Sequence, residues 1–501
     1  MLTIDILNSS LPLWIVLIPL ICGIMVFLSG LTSVATARFF FIISPVIPSL
    51  LVAFLYRPIA DGGVYNLVYE NILPPLGLNF RIDILSMYML LVFCALAIIL
   101  FIFTLGFMKD KPNESRLMGS LTLSFAGSLG VVMAGDLFSF FLFFELMSLI
   151  FIIALAHEQT PEAIGATMKF FFMTIIGSVS LFLGIVLTYQ LTGSASFGAG
   201  GLFTEASGWA LVAFIAYVIC FGIKTALLPL HLWMPDAYTY SPIVAGTLSS
   251  GILLKVGAYG MIRVFYDIYG LDFFAAVEWN QVVVVIACIT ILYGSINAIA
   301  QDDIIRRLAY SGIAQIGYIT VGIALLTEAS FISNIYHIFA HAAMKACLFL
   351  CAAVIIMKTG KRLISEMSGI GFTLPFTMLS FTIASITAVG LPPFNVFITK
   401  WHLGMGALEV GQPFIVVILL ISSVMNAAYY LPIVTASFLG GEALKFDKIR
   451  RSLRINEARP VLLIPIAFLV VGCFYFALSQ YNWPLELAKQ AADMFFVYVP
   501  K

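Results

Sequence analysis

Fourteen apolar stretches, most of them near the ~20 residues that cross a bilayer, leave this 501-residue chain little choice but helices in lipid. They run approximately over 11–30, 36–56, 84–107, 116–134, 136–156, 163–191, 207–232, 242–266, 279–300, 304–326, 329–357, 372–405, 412–438 and 460–479. Inside hydrocarbon every backbone N–H and C=O needs a partner within the protein, and a helix finds both in its own chain. The sequence therefore reads as an all-α integral membrane protein, a single membrane domain over 1–501. Charged residues are only 10% of the chain, against about 25% in soluble proteins, which excludes a soluble fold. The formal net charge is zero, so no nucleic acid or anionic surface is implied as a partner. Separation of the stretches is weakest at 116–156, where only the Gly135–Asp136 turn intervenes. The 372–405 stretch is too long for one straight helix and contains Pro392 and Pro393, so a break is expected there.

Little is left outside the membrane. The sizeable loop over 57–83 carries two short mixed runs, Val64 to Val68 and Leu78 to Ile82, which fit a small hairpin cap. The tail after Trp483 is short and weakly amphipathic. No extramembrane stretch offers room for a soluble active site, so no catalytic residue is assigned. The seven cysteines fall in apolar runs without a Cys-x-x-Cys, as small packing residues do. Neither a metal nor another cofactor is expected. With no basic residue ahead of the first apolar run near Leu11, a cleavable signal peptide is not expected either.

Loop charges set an orientation. With the N-terminus outside, the inner loops hold Arg38, Lys109, Lys111, Arg116, Arg306, Arg307, Lys358, Lys361, Arg362, Lys445, Lys448, Arg450, Arg451, Arg454 and Arg459. The outer segments hold Arg57, Arg81, Arg263, Lys489 and Lys501. A bias of 15 to 5 supports this orientation and an even number of spans, with both termini outside a cell (plasma) membrane. The 440–459 loop is the largest basic cluster. It fits equally a docking face for partners and a device that fixes topology or binds anionic lipid.

The remaining five lysines, Lys169, Lys224, Lys255, Lys345 and Lys400, sit with Glu145 inside the apolar stretches. A charge at the centre of a membrane helix costs roughly 2.5–3.5 kcal/mol even on lenient scales. A chain that needed only an anchor would have lost them, so the default reading is a buried path for protons or ions. Glu145 follows four aromatics in five residues; its ionisation is balanced between burial, which opposes it, and any nearby lysine, which favours it. Lys224 precedes Pro229, which cannot donate to the carbonyl of Thr225 and so disturbs the helix one turn beyond the lysine. Lys255 is flanked by small residues that let helices approach closely. His337, His341 and Lys345 follow at i, i+4 and i+8 and share one helix face, a proton-relay stripe. Lys400 lies about two turns past the double proline. The plain alternatives are ion pairs that only hold helices together and, for Lys400, a side chain reaching for the interface. Lys169 is nearer its span end and fits that alternative better. Asp136, His231 and Asp236 read as solvated span ends.

In this order, Phe144-Glu145-Leu-Met-Ser, Lys224 to Asp236, the Lys255 segment, His337 to Phe349 and Gly390 to Lys400 resemble one family. It is the antiporter-like subunits shared by respiratory complex I, membrane-bound hydrogenases and Mrp-type cation/proton antiporters. The resemblance covers nearly the whole chain. It implies fourteen helices with two inverted five-helix repeats, here about 116–266 and 279–438, and broken seventh and twelfth helices. It implies that Glu145 and Lys224 form the family's glutamate–lysine pair, that Lys255 is the central lysine, that His341 and Lys345 belong to the polar helix after it, and that Lys400 is the terminal lysine. The chain ends soon after its fourteenth stretch, without the long lateral helix of the largest complex I subunit. Length and motifs look most like the D-type component of Mrp-type antiporters or its hydrogenase counterpart. Such a component moves protons or cations within a complex of other membrane subunits; a redox-driven pump is the second reading. A stand-alone symporter would need a substrate pocket with specific polar contacts, and only a line of titratable groups is visible. Sodium as the exchanged ion is not legible: its site wants several hard oxygen ligands, and there is one buried carboxylate.

Overall fold

Polar side chains at the ends of the apolar runs start the helices. Asp83 accepts from the Ser86 N–H at 2.9 Å, Asp136 from Ser139 at 2.7 Å and Asp303 from Arg306 at 2.9 Å. Thr160, Ser207 and Thr327 cap in the same way. Each satisfies one of the orphan donors that a helix start leaves. The computed structural model describes residues 6–7, 9–70, 77–198, 200–439, 455–479 and 481–496. Lys445, Lys448, Arg450, Arg451 and Arg454 of the basic loop lie outside the described residues.

The helices are α1 (Leu11–Gly30), α2 (Val34–Ala60), α3 (Ile84–Met108), α4 (Glu114–Val132), α5 (Leu137–Leu155), α6 (Pro161–Thr192), α7 (Gly208–Thr225), α8 (Met234–Tyr240) and α9 (Ile243–Tyr269). They continue as α10 (Leu271–Val277), α11 (Asn280–Ala300), α12 (Ile304–Ala324), α13 (Glu328–Thr359), α14 (Pro375–Val389), α15 (Asn395–Glu409), α16 (Pro413–Leu439), α17 (Pro460–Leu478) and α18 (Trp483–Phe496). Every one of the fourteen stretches falls on a helix or a pair of half-helices. Eleven of these helices are long and apolar enough to cross a membrane. The other three stretches form α4, which is rich in serine and glycine, α12, which carries a polar face, and the broken pair α14/α15.

Both expected breaks are present. α7 stops at Thr225, Ala226 turns left-handed (φ +59°), and α8 resumes at Met234. The seventh stretch therefore extends to Tyr240, beyond the limit at 232 that hydropathy sets. α14 ends at Val389, Gly390 turns left-handed (φ +85°), and α15 begins at Asn395. The hairpin is also present: β2 (Val64–Tyr69) pairs antiparallel with β3 (Leu78–Ile82), and β1 (Ile6–Leu7) adds a short parallel edge.

Loops that the charge count places on one side bond to one another. At the hairpin end Arg81 N–H donates to Met133 O, Leu137 N–H to Ala195 O and Leu202 N–H to Ile268 O. At the opposite end Arg116 reaches His157 O, Arg362 reaches Thr239 O, and Ile304 N–H donates to Arg362 O. α9 and α13 are buried along nearly their whole lengths, while α1, α2, α6, α16 and α17 turn apolar side chains such as Phe54, Val179, Val424 and Phe468 outward. Of the eleven membrane-long helices, the two most enclosed over their apolar middles are the ones that carry Lys255 and the His337–His341–Lys345 stripe.

Candidate ion-translocation path

The first break sets one end of the path. Lys224 lies in the last turn of α7, where the helix dipole favours a cation. Its Nζ donates to Ser148 Oγ at 2.7 Å and sits 5.1 and 5.6 Å from the ring centroids of Phe144 and Phe170. Glu145, one turn before Ser148 on α5, accepts from Ser178 Oγ at 2.5 Å. Among the described residues no ion pair joins Glu145 to Lys224; they meet through a neutral hydroxyl and a turn of α5. Trp233 Nε1–H, from beyond the break, donates to the Ile223 carbonyl at 2.7 Å, which the Ala226 N–H also reaches at 3.1 Å. A methyl at Gly257 would lie 3.0 Å from Lys224 Cβ, so α9 presses directly on the lysine stem.

Lys255, fully buried on α9, follows a π-helical turn over Ser249–Leu253. Such turns loosen the ladder and recur at functional sites. Its Nζ bonds the Ser250 carbonyl and lies 2.7 Å from His341 Nδ1. The two nitrogens can share one proton, held by the lysine or by the imidazole. One turn beyond His341 on α13, Lys345 Nζ donates to Leu308 O at 2.8 Å, bonds Ser311 Oγ, and lies 3.4 Å from Tyr430 OH.

The second break sets the other end. Lys400, on α15, reaches back across it and donates to Val389 O at 2.8 Å, the last carbonyl of α14, and to Ser423 Oγ at 2.7 Å. Gly390 serves the turn twice: its φ is left-handed, and a Cβ there would lie 3.1 Å from the ammonium. Lys400 does not reach for an interface. Its Nζ sits 5.2 Å from the centroid of Tyr318, whose ring also meets His337 edge-on at 5.9 Å. His337 Nδ1 lies 2.9 Å from Thr399 Oγ1, next to Lys400; that hydroxyl already donates to Val396 O, so the imidazole donates here.

The structure thus joins Lys255 to His341, and His337 to Lys400 through Thr399 and Tyr318. Sequence reading missed the seam beside them. Tyr318 OH donates to Ser422 Oγ at 2.6 Å, Ser311 Oγ meets Tyr430 OH at 3.1 Å, and Tyr429 OH donates to Asn426 Oδ1 at 2.5 Å. Ser311, Gln315 and Tyr318 follow at i, i+4 and i+7 on α12, and that spacing in an apolar run was the available signal.

Two other charges are relocated. Arg263, assigned to an outer segment, is 1% exposed within α9. It donates to Asp83 at 2.7 and 2.8 Å, to Asp267 at 2.8 Å and to Tyr259 OH at 2.9 Å. Arg307, assigned to an inner loop, is also buried and donates to Tyr429 O and Gln301 O. Lys169 is not on the path: it pairs with Asp236 at 2.5 Å, beside Arg306, on the wall of a cavity of about 490 Å³ that also touches His231. Asp136 is an N-cap. All seven cysteines are buried and free, and among the described residues no cluster of three His, Cys, Asp or Glu could hold a metal.

The family model described as NADH:quinone oxidoreductase/Mrp antiporter, TM, matches residues 134–426. The chain is 30% identical to the N-type component of NADH-quinone oxidoreductase from Desulforudis audaxviator over 93% of its own length and 96% of that protein's. It is 24% identical to the D-type component of the Na(+)/H(+) antiporter from Bacillus subtilis over 95% of each. Among solved structures, a chain of the membrane-bound sulfane sulfur reductase, an archaeal respiratory membrane complex, superposes with a TM-score of 0.85 at 24% identity over 97% of this chain and 98% of that one. A chain of the Mrp complex from Dietzia sp. gives 0.82 at 24% identity over 97% of each. At that identity the likeness shows a shared fold. With the family model covering more than half its length and the quinone oxidoreductase match nearly all of it, the chain belongs to the NADH:quinone oxidoreductase/Mrp antiporter membrane family.

Proposed function

We propose that this chain is the proton/cation-translocating subunit of a multisubunit Mrp-type cation/proton antiporter. Protons move along Glu145, Lys224, Lys255, His341, Lys345, His337 and Lys400. One observation carries the reading: none of the lysines in that series is paired with a carboxylate within ion-pair distance among the described residues. Each ammonium is held by hydroxyls, carbonyls or an imidazole. A lysine kept only as glue would have a carboxylate partner; one held by neutral groups can give up its proton without stranding an opposite charge. Two further features support the two units over 116–266 and 279–438: each has one enclosed helix bearing lysine at depth and one broken helix. The partners are other membrane subunits, the membrane is the cell membrane, and both termini face outward.

A second reading, the same module in a redox-driven proton pump, is favoured by the 30% identity to a quinone oxidoreductase component against 24% for the antiporter component. Proteins that co-purify with the chain decide between them. Hydrogenase or quinone-reductase components mean a pump; a proton gradient dissipated by added Na⁺ without an electron donor means an antiporter.

The path is tested at Lys400 in the assembled complex in proteoliposomes. Lys400→Ala should abolish translocation, and so should Lys400→Arg, because a guanidinium keeps its charge. Full activity in Lys400→Arg would reduce the residue to a fixed positive charge.

A further inference from the structure

Three polar atoms at the centre of the protein have no hydrogen-bond partner among the described residues: Gln315 Nε2, Gln315 Oε1 and His341 Nε2. Both residues are fully buried. Leaving a buried donor or acceptor unmet costs about 1–3 kcal/mol per group, and native proteins seldom do so without a water or a function. The antiparallel register of α12 and α13 sets the two residues opposite one another. Lys345 meets Ser311, His337 meets Tyr318, and Asn334 packs on Gly322. That same register sets His341 opposite Gln315, between the first two pairs.

We propose that Gln315 is the positioning residue of His341, acting through one bound water between the amide and Nε2. This rests on the proton line proposed above and adds its junction. His341 Nδ1 already faces Lys255, so a proton leaving that pair departs from Nε2. An amide suits the place because it carries a donor and an acceptor on one planar group. Its carbonyl side orders the water to accept from a protonated Nε2, and its NH₂ side orders the water to donate to a bare one. A water within reach of both groups satisfies them at little entropic cost. One turn to either side along α12, Ser311 leads to Lys345 and Tyr318 leads to His337 and Lys400. The titratable groups around His341 are Lys255 from α9 and His337 and Lys345 from α13 itself.

The test compares Gln315→Met and Gln315→Glu with the wild-type complex in proteoliposomes. Gln315→Met keeps the volume, so the complex should still fold, while proton translocation falls about tenfold, the scale of one lost hydrogen-bond partner. Gln315→Glu, which holds a charged imidazole, should fold and displace the pH profile of translocation. Lys255→Met runs alongside as the control. If Gln315→Met and Gln315→Glu keep the wild-type rate and pH profile while Lys255→Met is dead, Gln315 is a tolerated orphan and this inference is wrong. If Lys255→Met itself stays active, the proton line is what has failed.

Discussion

Lys255 and Arg263 stand two turns apart on α9, both buried, and the helix treats them in opposite ways. Arg263 is surrounded by charge: two carboxylates, Asp83 and Asp267, take its guanidinium, and Tyr259 takes its Nε. Lys255 has a backbone carbonyl and an imidazole, both neutral. In the first case opposite charges repay one another's desolvation and the group stays ionised. In the second, charge resides at the site only while a proton does. On the proposed path, one helix thus holds a fixed latch toward the hairpin end and a loadable group at its middle. The residue types fit the division, since arginine keeps its proton and lysine can release one.

The largest effects should separate these two roles. Lys255→Met is expected to abolish translocation and leave the melting temperature of the complex unchanged or higher, because an apolar side chain carries no desolvation cost. Asp83→Asn should do the reverse. It leaves Arg263 with Asp267 as its one carboxylate, at a cost of about 1.5–3 kcal/mol, while the rate per folded molecule stays near wild type. Paired melting and transport measurements check both. Equal losses of stability in the two variants would erase the distinction between latch and carrier.

A smaller effect tests whether Lys224 belongs with the carriers. Its one side-chain hydrogen bond among the described residues goes to Ser148. Ser148→Ala should slow translocation by about tenfold, since hydrogen bonds to charged groups contribute about 1.5–3 kcal/mol. Glu145→Gln should also impair it without unfolding the complex. If Glu145→Gln acts and Ser148→Ala does not, the carboxylate couples to Lys224 through space and the hydroxyl is incidental.

The lysine line was legible because a charge within twenty apolar residues is rare enough to need a reason. The breaks were legible from Pro229, Pro392 and Pro393, which interrupt any helix they enter. The hairpin was legible from its alternation. Arg263 was misplaced because a cation near a span end looks solvated, and Asp83 lies 180 residues earlier in the chain. The seam of Ser311, Gln315 and Tyr318 passed unnoticed for a different reason. Hydroxyls in membrane helices commonly bond back to their own backbone, as Thr104 and Ser128 do here, so a single one signals nothing. Only its position opposite the histidines gives the stripe meaning, and that position needs the fold.

The smallest expected effect is the latch's own pH dependence in the acid range. Burial alone would raise the Asp83 carboxyl, but Arg263 and Arg81, with the Ser86 N–H, outweigh it and hold it below the usual carboxylate range. A group lowered on folding contributes stability in full above its unfolded value, near 3.9, and that contribution is lost as pH falls through the folded value. The complex should therefore lose stability through Asp83 only below about pH 4. Thermal melts from about pH 6 down to about pH 3 should show a steepening loss at the acid end, and Asp83→Asn should start lower and fall less steeply over that window. Parallel curves for the two proteins would mean that Asp83 titrates alike folded and unfolded. Arg263 would then be held by Asp267 alone, and the latch would be one ion pair.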